Sequence, residues 1–152
     1  MSFFQASANA ELDPTVYAAY QAQRRGIDNV YKSNLAENRH SRNQLDVQRA
    51  STLRDLTNQF ARQRRTLSQG MGARGLANSG IWQRRVADFQ QGRNQAFSNL
   101  NETYSDQIAR LALARQQLEA SRGSQHADID MHEAARRAEL ATMLRNNLQG
   151  FI

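Results

Sequence analysis

After Pro14 the apolar residues recur mostly at steps of three, four or seven: Val16, Tyr20, Ile27, Tyr31, Leu35, Leu45, Leu53, Leu56, Phe60 and Leu67. Between Leu35 and Leu45 the same steps fall on polar Asn38 and Arg42. Steps of three and four put these side chains on one face of an α-helix. No stretch alternates as a half-buried strand would. Asp13-Pro14 supplies a start signal, a carboxylate to cap the first free N–H groups and a proline at the first helical position. The pattern predicts one helix over residues 14–69, with a seam only one stripe wide. At a rise of ~1.5 Å per residue such a helix would run roughly 80 Å.

Glycine breaks the pattern. Gly70, Gly72, Gly75 and Gly80 all fall within residues 70–80, and Asn78 and Ser79 follow as candidate helix caps. Glycine supplies the positive φ values that chain reversal requires, so the stretch predicts a turn. A second stripe then runs Trp82, Val86, Phe89, Arg93, Phe97, Leu100, Tyr104, Ile108, Leu111, Arg115 and Leu118. Val86, Phe97 and Ile108 stand 11 residues apart, the period of a nearly straight or slightly right-handed coil. The stripe fades at Ser121-Arg122-Gly123-Ser124 and resumes with Ile129, Ala135, Leu140, Leu144 and Leu148. The expected organisation is an arm over 1–13, a first helix over 14–69, a turn over 70–80 and a second helix over 81–122. Residues 123–152 either continue the second helix or fold off as a third, with Asp130 and Glu133 as its capping pair. The fold class is all-α, a long antiparallel, coiled-coil-like αα-hairpin. Seam residues Asn38, Arg42, Arg93 and Arg115 are expected to pair across the hairpin or fix its register, unless they face water.

Composition changes this picture in one respect. The chain has 152 residues, the length of one domain, yet only 39% are hydrophobic and the mean hydropathy is −0.77. A compact domain of this length would bury about 70% of its unfolded surface. These apolar residues suffice instead for a narrow seam, or for burial against other subunits. A homo-oligomer is therefore expected, with Phe3, Phe4, Trp82, Phe151 and Ile152 as contacts. Cysteine is absent, which excludes thiol nucleophiles, thiolate metal sites and disulfides. The first 14 residues lack the basic and continuous apolar regions of a signal peptide. No apolar run approaches the ~20 residues that span a bilayer.

The stretch "SQGMGARGLANSG" contains a literal GxGxxG at Gly70, Gly72 and Gly75. A dinucleotide site needs a strand before the glycines and an acid about 20 residues beyond. Helical "ARQRRTLSQ" precedes them here, and no GK[ST] follows, so the hairpin turn is the preferred reading. Its surroundings are basic. Between Asp55 and Asp88 there is no acid, but there are Arg62, Arg64, Arg65, Arg74, Arg84 and Arg85. Folding the hairpin gathers these six at one end, where they either form a solvated face or contact a polyanion: DNA, RNA, a membrane surface or an acidic protein. Arginine forks onto phosphate and carboxylate alike. In "HADIDMH" the residues His126, Asp128, Asp130 and His132 alternate. On a helix they pair as His126 with Asp130 and Asp128 with His132, so ion pairs are preferred to a metal site. No catalytic constellation and no cofactor motif stands out, so the expectation is a protein that is not an enzyme.

At residues 70–85, "GMGARGLANSGIWQRR", the chain resembles helical virion proteins of tailed bacteriophages, in which an R-G-L-x-x-S-G turn joins two long polar helices. The matching residues are Arg74, Gly75, Leu76, Ser79 and Gly80. The resemblance implies a structural component of the tail, neck or head interior, present in several copies, assembled in the host cytoplasm and in contact with other virion proteins. Some such proteins are ejected with the genome. Together these readings give a structural subunit with a DNA-contacting or acid-contacting tip as the leading expectation. A free helical nucleic-acid-binding oligomer and an ejected protein that meets a membrane are the alternatives.

Overall fold

The computed structural model describes residues 12–75 and 79–149, with the side chains of 148 and 149 outside the description. It contains two helices packed against each other, α1 (Pro14–Gly72) and α2 (Gly80–Gln149). Among the described residues there is no strand.

Both helices begin on side-chain caps. The Asp13 carboxylate accepts the Thr15 N–H at 2.7 Å and also the Thr15 hydroxyl. These bonds hold its pKa below the ordinary carboxylate value, as hydrogen bonding to a charged form does. At α2 the Ser79 Oγ accepts the Trp82 N–H at 3.2 Å, and the Ser79 carbonyl accepts from Gln83. The other proposed cap, Asn78, lies outside the described residues.

The turn is shorter than the glycines suggest. Gly70 and Gly72 belong to the last turn of α1, and Gly80 opens α2. Among the described residues only Gly75 takes a left-handed conformation, with φ of 62°. The helix ends by tightening. Ala73 N–H still reaches the Gln69 carbonyl, but Arg74 and Gly75 bond only three residues back, to Met71 and Gly72. That satisfies carbonyls a helix terminus leaves free, so one glycine at positive φ is enough.

Nor do residues 123–149 fold off. α2 continues without a break through Ser121-Arg122-Gly123-Ser124 to Gln149. A single glycine costs a helix about 1 kcal/mol and does not end it. What the faded stripe lacks in apolar side chains is supplied by polar contacts to α1. Asp130 and Glu133 accordingly cap nothing. Both grip Arg24 of α1, at 2.5 and 2.6 Å.

The chain divides into two packing units. In the unit formed by residues 12–37 and 115–149, Val16, Tyr20, Ile27, Tyr31 and Leu35 share the seam with Leu118, His126, Ile129, Glu133 and Leu140. Ile129 is 8% exposed, and so is the carboxylate-bearing Glu133. Glu133 bridges Arg24 to Arg137 of its own helix. One turn along α1, Asp28 meets Arg122 at 2.8 Å and His126 at 3.1 Å. Arg122 also lies over the Tyr31 ring, 4.9 Å from its centroid. These contacts fill the stretch where α2 has no apolar side chain. They hold the Asp28 pKa below the ordinary carboxylate value, His126 contributing more than Arg122. Paired with two carboxylates, Arg24 is harder still to deprotonate than an ordinary arginine.

The other unit is formed by residues 38–75 and 79–114. Its seam holds Leu45, Leu53, Leu56, Phe60, Leu67 and buried Met71 against Trp82, Val86, Phe89, Phe97, Leu100, Tyr104, Ile108 and Leu111. Phe60 meets Phe89 edge-on at 5.7 Å and lies 6.0 Å from Phe97. Asn38 donates to the Leu111 carbonyl at 3.0 Å, an inter-helix pairing of the kind expected of it. Arg42, Arg93 and Arg115 are instead exposed. The seam takes the smaller Ser41, Ala96 and Ala114 beside them, because a charged side chain leaves water only with a partner. Arg93 covers the Phe97 ring at 5.6 Å and Arg115 pairs along its own helix with Glu119. Arg49 enters the seam, donating to Asn101 and stacking on Tyr104 at 4.5 Å. The Tyr104 hydroxyl donates to Asp46, and this bond and partial burial hold its pKa above the ordinary tyrosine value.

The half-buried and buried positions of α1 include Val16, Ile27, Asn38, Arg49, Phe60 and Met71, each 11 residues from the last. The hendecad spacing legible in the second stripe is therefore present in both helices. At 3.67 residues per turn it stays close to the natural helical period, so one face can hold the seam.

Three outcomes check this account. Ile129→Ala destabilises the protein by about 2–4 kcal/mol in chemical denaturation, as loss of a buried branched side chain does. Gly75→Ala destabilises by about 1 kcal/mol because alanine resists positive φ. Gly70→Ala, whose added methyl meets nothing within 4 Å, instead stabilises by about 0.5 kcal/mol. A pH series tests the Asp28 contacts. A depressed carboxylate pKa contributes stability that is whole above the unfolded value near ~4 and is lost as pH falls through the folded value. Asp28→Asn therefore lowers stability at neutral pH and flattens the acid limb of the stability curve.

Candidate functional site: the basic hairpin end

The six arginines singled out from the sequence all lie in the unit formed by residues 38–75 and 79–114, and all are exposed. Arg62, Arg64 and Arg65 stand on the last turns of α1, Arg74 in the turn itself, and Arg84 and Arg85 on the second turn of α2. Among the described residues none of the six forms an ion pair. Arg62 makes only a long bond of 3.4 Å to the Asn58 carbonyl of its own helix. In the other unit Arg24, Arg122, Arg136 and Arg137 are matched to acids, while Arg25, Lys32 and Arg145 form no ion pair among the described residues; what sets the hairpin end apart is that its stretch holds no acid at all.

Packing brings three of the six together. Arg62, Arg74 and Arg85 line an open cleft of about 430 Å3 whose walls also include Gln63, Thr66 and Gly70, with Leu67 and Met71 among its lining residues. Met71 is 5% exposed, so it anchors the cleft on the seam. Arg64, Arg65 and Arg84 lie outside the cleft. Trp82, proposed as an oligomer contact, is half-buried. The other proposed contacts, Phe3, Phe4, Phe151 and Ile152, lie outside the described residues, as does Leu76.

The charge distribution carries more than the cluster alone indicates. The chain has 20 basic and 14 acidic residues. Taking away the six arginines between Asp55 and Asp88, a stretch without acids, leaves 14 basic residues, equal to the acids. The whole formal charge of +6 thus belongs to the hairpin end, and the remainder is balanced. The fold gains little from this. α2 has no acid in its first turn to offset the positive N-terminal end of its dipole, and Arg84 and Arg85 follow on its second turn.

The alternating quartet of "HADIDMH" is dispersed by the helix. His126 turns to Asp28, Asp130 to Arg24, and the His132 carbonyl accepts from Tyr20 at 3.5 Å. The expected pairing of His126 with Asp130 is replaced by contacts to α1, because the seam offers partners a same-helix pair lacks, and among the described residues no ion pair joins Asp128 to His132. Among the described residues no group of three metal-ligating side chains forms. His40 pairs with Gln44 one turn on. Sequence reasoning missed the Arg24–Glu133 contact. Its signal was the 11-residue spacing, which places Glu133 on the seam 22 residues after Leu111 and so marks it as a carboxylate in need of a buried partner.

Comparison with family models, with curated proteins and with solved structures returned no match, and function must be read from the charge and packing of this chain.

Proposed function

We propose that the protein is a non-enzymatic structural subunit that oligomerises through its long helices and presents the arginine-rich hairpin end to DNA or an acidic partner. The observation that carries this reading is the amount of surface left uncovered. Among the described residues no side chain is fully buried, and Val30, Val47 and Met131 are each more than 60% exposed. Neighbouring copies would cover part of this surface.

On the R-G-L-x-x-S-G resemblance, we read such a subunit as a virion protein of a tailed bacteriophage, in the tail, neck or head interior. In that setting the helices would lie side by side with other copies and other virion proteins. A second reading, a free helical oligomer that binds nucleic acid, is favoured by the confinement of the net charge to one end. The two differ in what accompanies the chain. A virion subunit sediments with particles at fixed stoichiometry, and a free binder does not.

The subunit reading is tested by light scattering on the purified chain. The expected mass is a whole multiple of 17.2 kDa greater than one. A monodisperse, cooperatively folded monomer contradicts it.

A further inference from the structure

We propose that the cleft at the hairpin end, with Arg62, Arg74 and Arg85 around it, is a site for the sugar–phosphate backbone of nucleic acid and binds it without regard to sequence. This deepens the preceding reading of the basic end by committing its partner to one class.

Four observations bear on the partner: the first three make this end an anion site, and the fourth favours phosphate over an acidic protein or a lipid surface. All six cations of this end are arginines, whose planar fork matches two phosphate oxygens at once. None is neutralised by a carboxylate of the described residues, so each is available to a ligand. The cleft arginines come from α1, the turn and α2, so the packing of the helices brings three chain segments around one cleft. Finally, the described end exposes one large apolar side chain, Ile81. A protein interface needs a desolvated apolar or aromatic centre, and a membrane-bound helix needs an apolar face. Non-specific nucleic-acid binding needs neither, because counterion release supplies its free energy.

The arrangement also accounts for an otherwise unrewarded cost. Six like charges gathered at one end repel one another and oppose folding. A polyanion reverses the sign of that interaction. The charge balance over the rest of the chain keeps the attraction local, so a duplex meets the hairpin end first.

The test is fluorescence anisotropy of labelled duplexes of two unrelated sequences, titrated with the full-length protein over a salt series. One variant carries Arg62→Gln, Arg74→Gln and Arg85→Gln. A second carries the same charge loss elsewhere, as Arg25→Gln, Arg39→Gln and Arg110→Gln, all at exposed positions. The wild type is expected to bind both duplexes equally, with a log–log salt slope near −5 if all six arginines engage. The cleft variant is expected to lose affinity on the order of tenfold or more at about 0.1 M salt, with a slope shallower by 2 to 3. The second variant is expected to keep the wild-type slope.

Equal losses in the two variants would overturn the proposal, since binding would then follow net charge alone. So would an unchanged cleft variant, absence of duplex binding, or tighter binding to polyglutamate or to phosphatidylglycerol vesicles than to DNA. Light scattering on the same samples keeps the two readings apart: a cleft variant that stays oligomeric but releases DNA locates the loss in the site, and a monomeric wild type that still binds DNA overturns the subunit reading alone.

Discussion

The seam between α1 and α2 is one stripe wide, and the rest of the structure follows from that limit. Each helix turn offers roughly one side chain to its partner, and even the best covered, Met71, Ile129 and Glu133, keep some exposure. So narrow a contact specifies register weakly if it is uniformly apolar, because sliding one helix by a turn exchanges one leucine for another. The polar members of the seam remove that freedom. Asn38 finds a carbonyl only at Leu111, Arg24 finds its carboxylates only at Asp130 and Glu133, and Asp28 finds Arg122 and His126. Charged pairs of this kind contribute more to uniqueness than to stability, and here they occupy the places where apolar residues are missing.

The same limit bears on function. Two helices that bury so little against each other leave much of their surface to water or to neighbours. That surface is rich in arginine, glutamine, asparagine and serine, which would suit the proposed contacts among copies of the chain. Charge is then used in two ways along one chain. Where α1 meets the C-terminal half of α2, Arg24 and Arg122 are matched to acids of the facing helix and hold the helices in register. At the hairpin end six arginines stand together with no acid among them, and the proposed anion would relieve their repulsion. The proposal of a nucleic-acid backbone at that end rests on this acid-free gathering of guanidinium groups.

Much of the fold was legible from the spacing of apolar residues. The two helices, the reversal near Gly75 and the caps at Asp13 and Ser79 all follow from local chemistry that a sequence displays directly. What misled were signals that depend on context. Gly70 and Gly72 look like turn residues, but a helix tolerates glycine when its neighbours continue the seam. The fading stripe at residues 121–124 looks like a break, but Arg122 bridges it with contacts to Asp28 and Tyr31. Asp130 and Glu133 look like a cap because a carboxylate pair near a glycine often is one. Their real partner is 109 residues away from Glu133 in the chain, and local spacing cannot reveal it. The basic end was visible as a gap between acids, whereas the grouping of Arg62, Arg74 and Arg85 around one cleft required the packing of three chain segments.

The central claim is that this narrow seam is completed by other copies of the chain. Thermal unfolding followed by circular dichroism over a hundredfold range of protein concentration tests it most directly. If neighbours supply the missing burial, association is linked to folding and the midpoint rises steadily with concentration. A midpoint independent of concentration, with full helicity at the lowest concentration, would contradict the account.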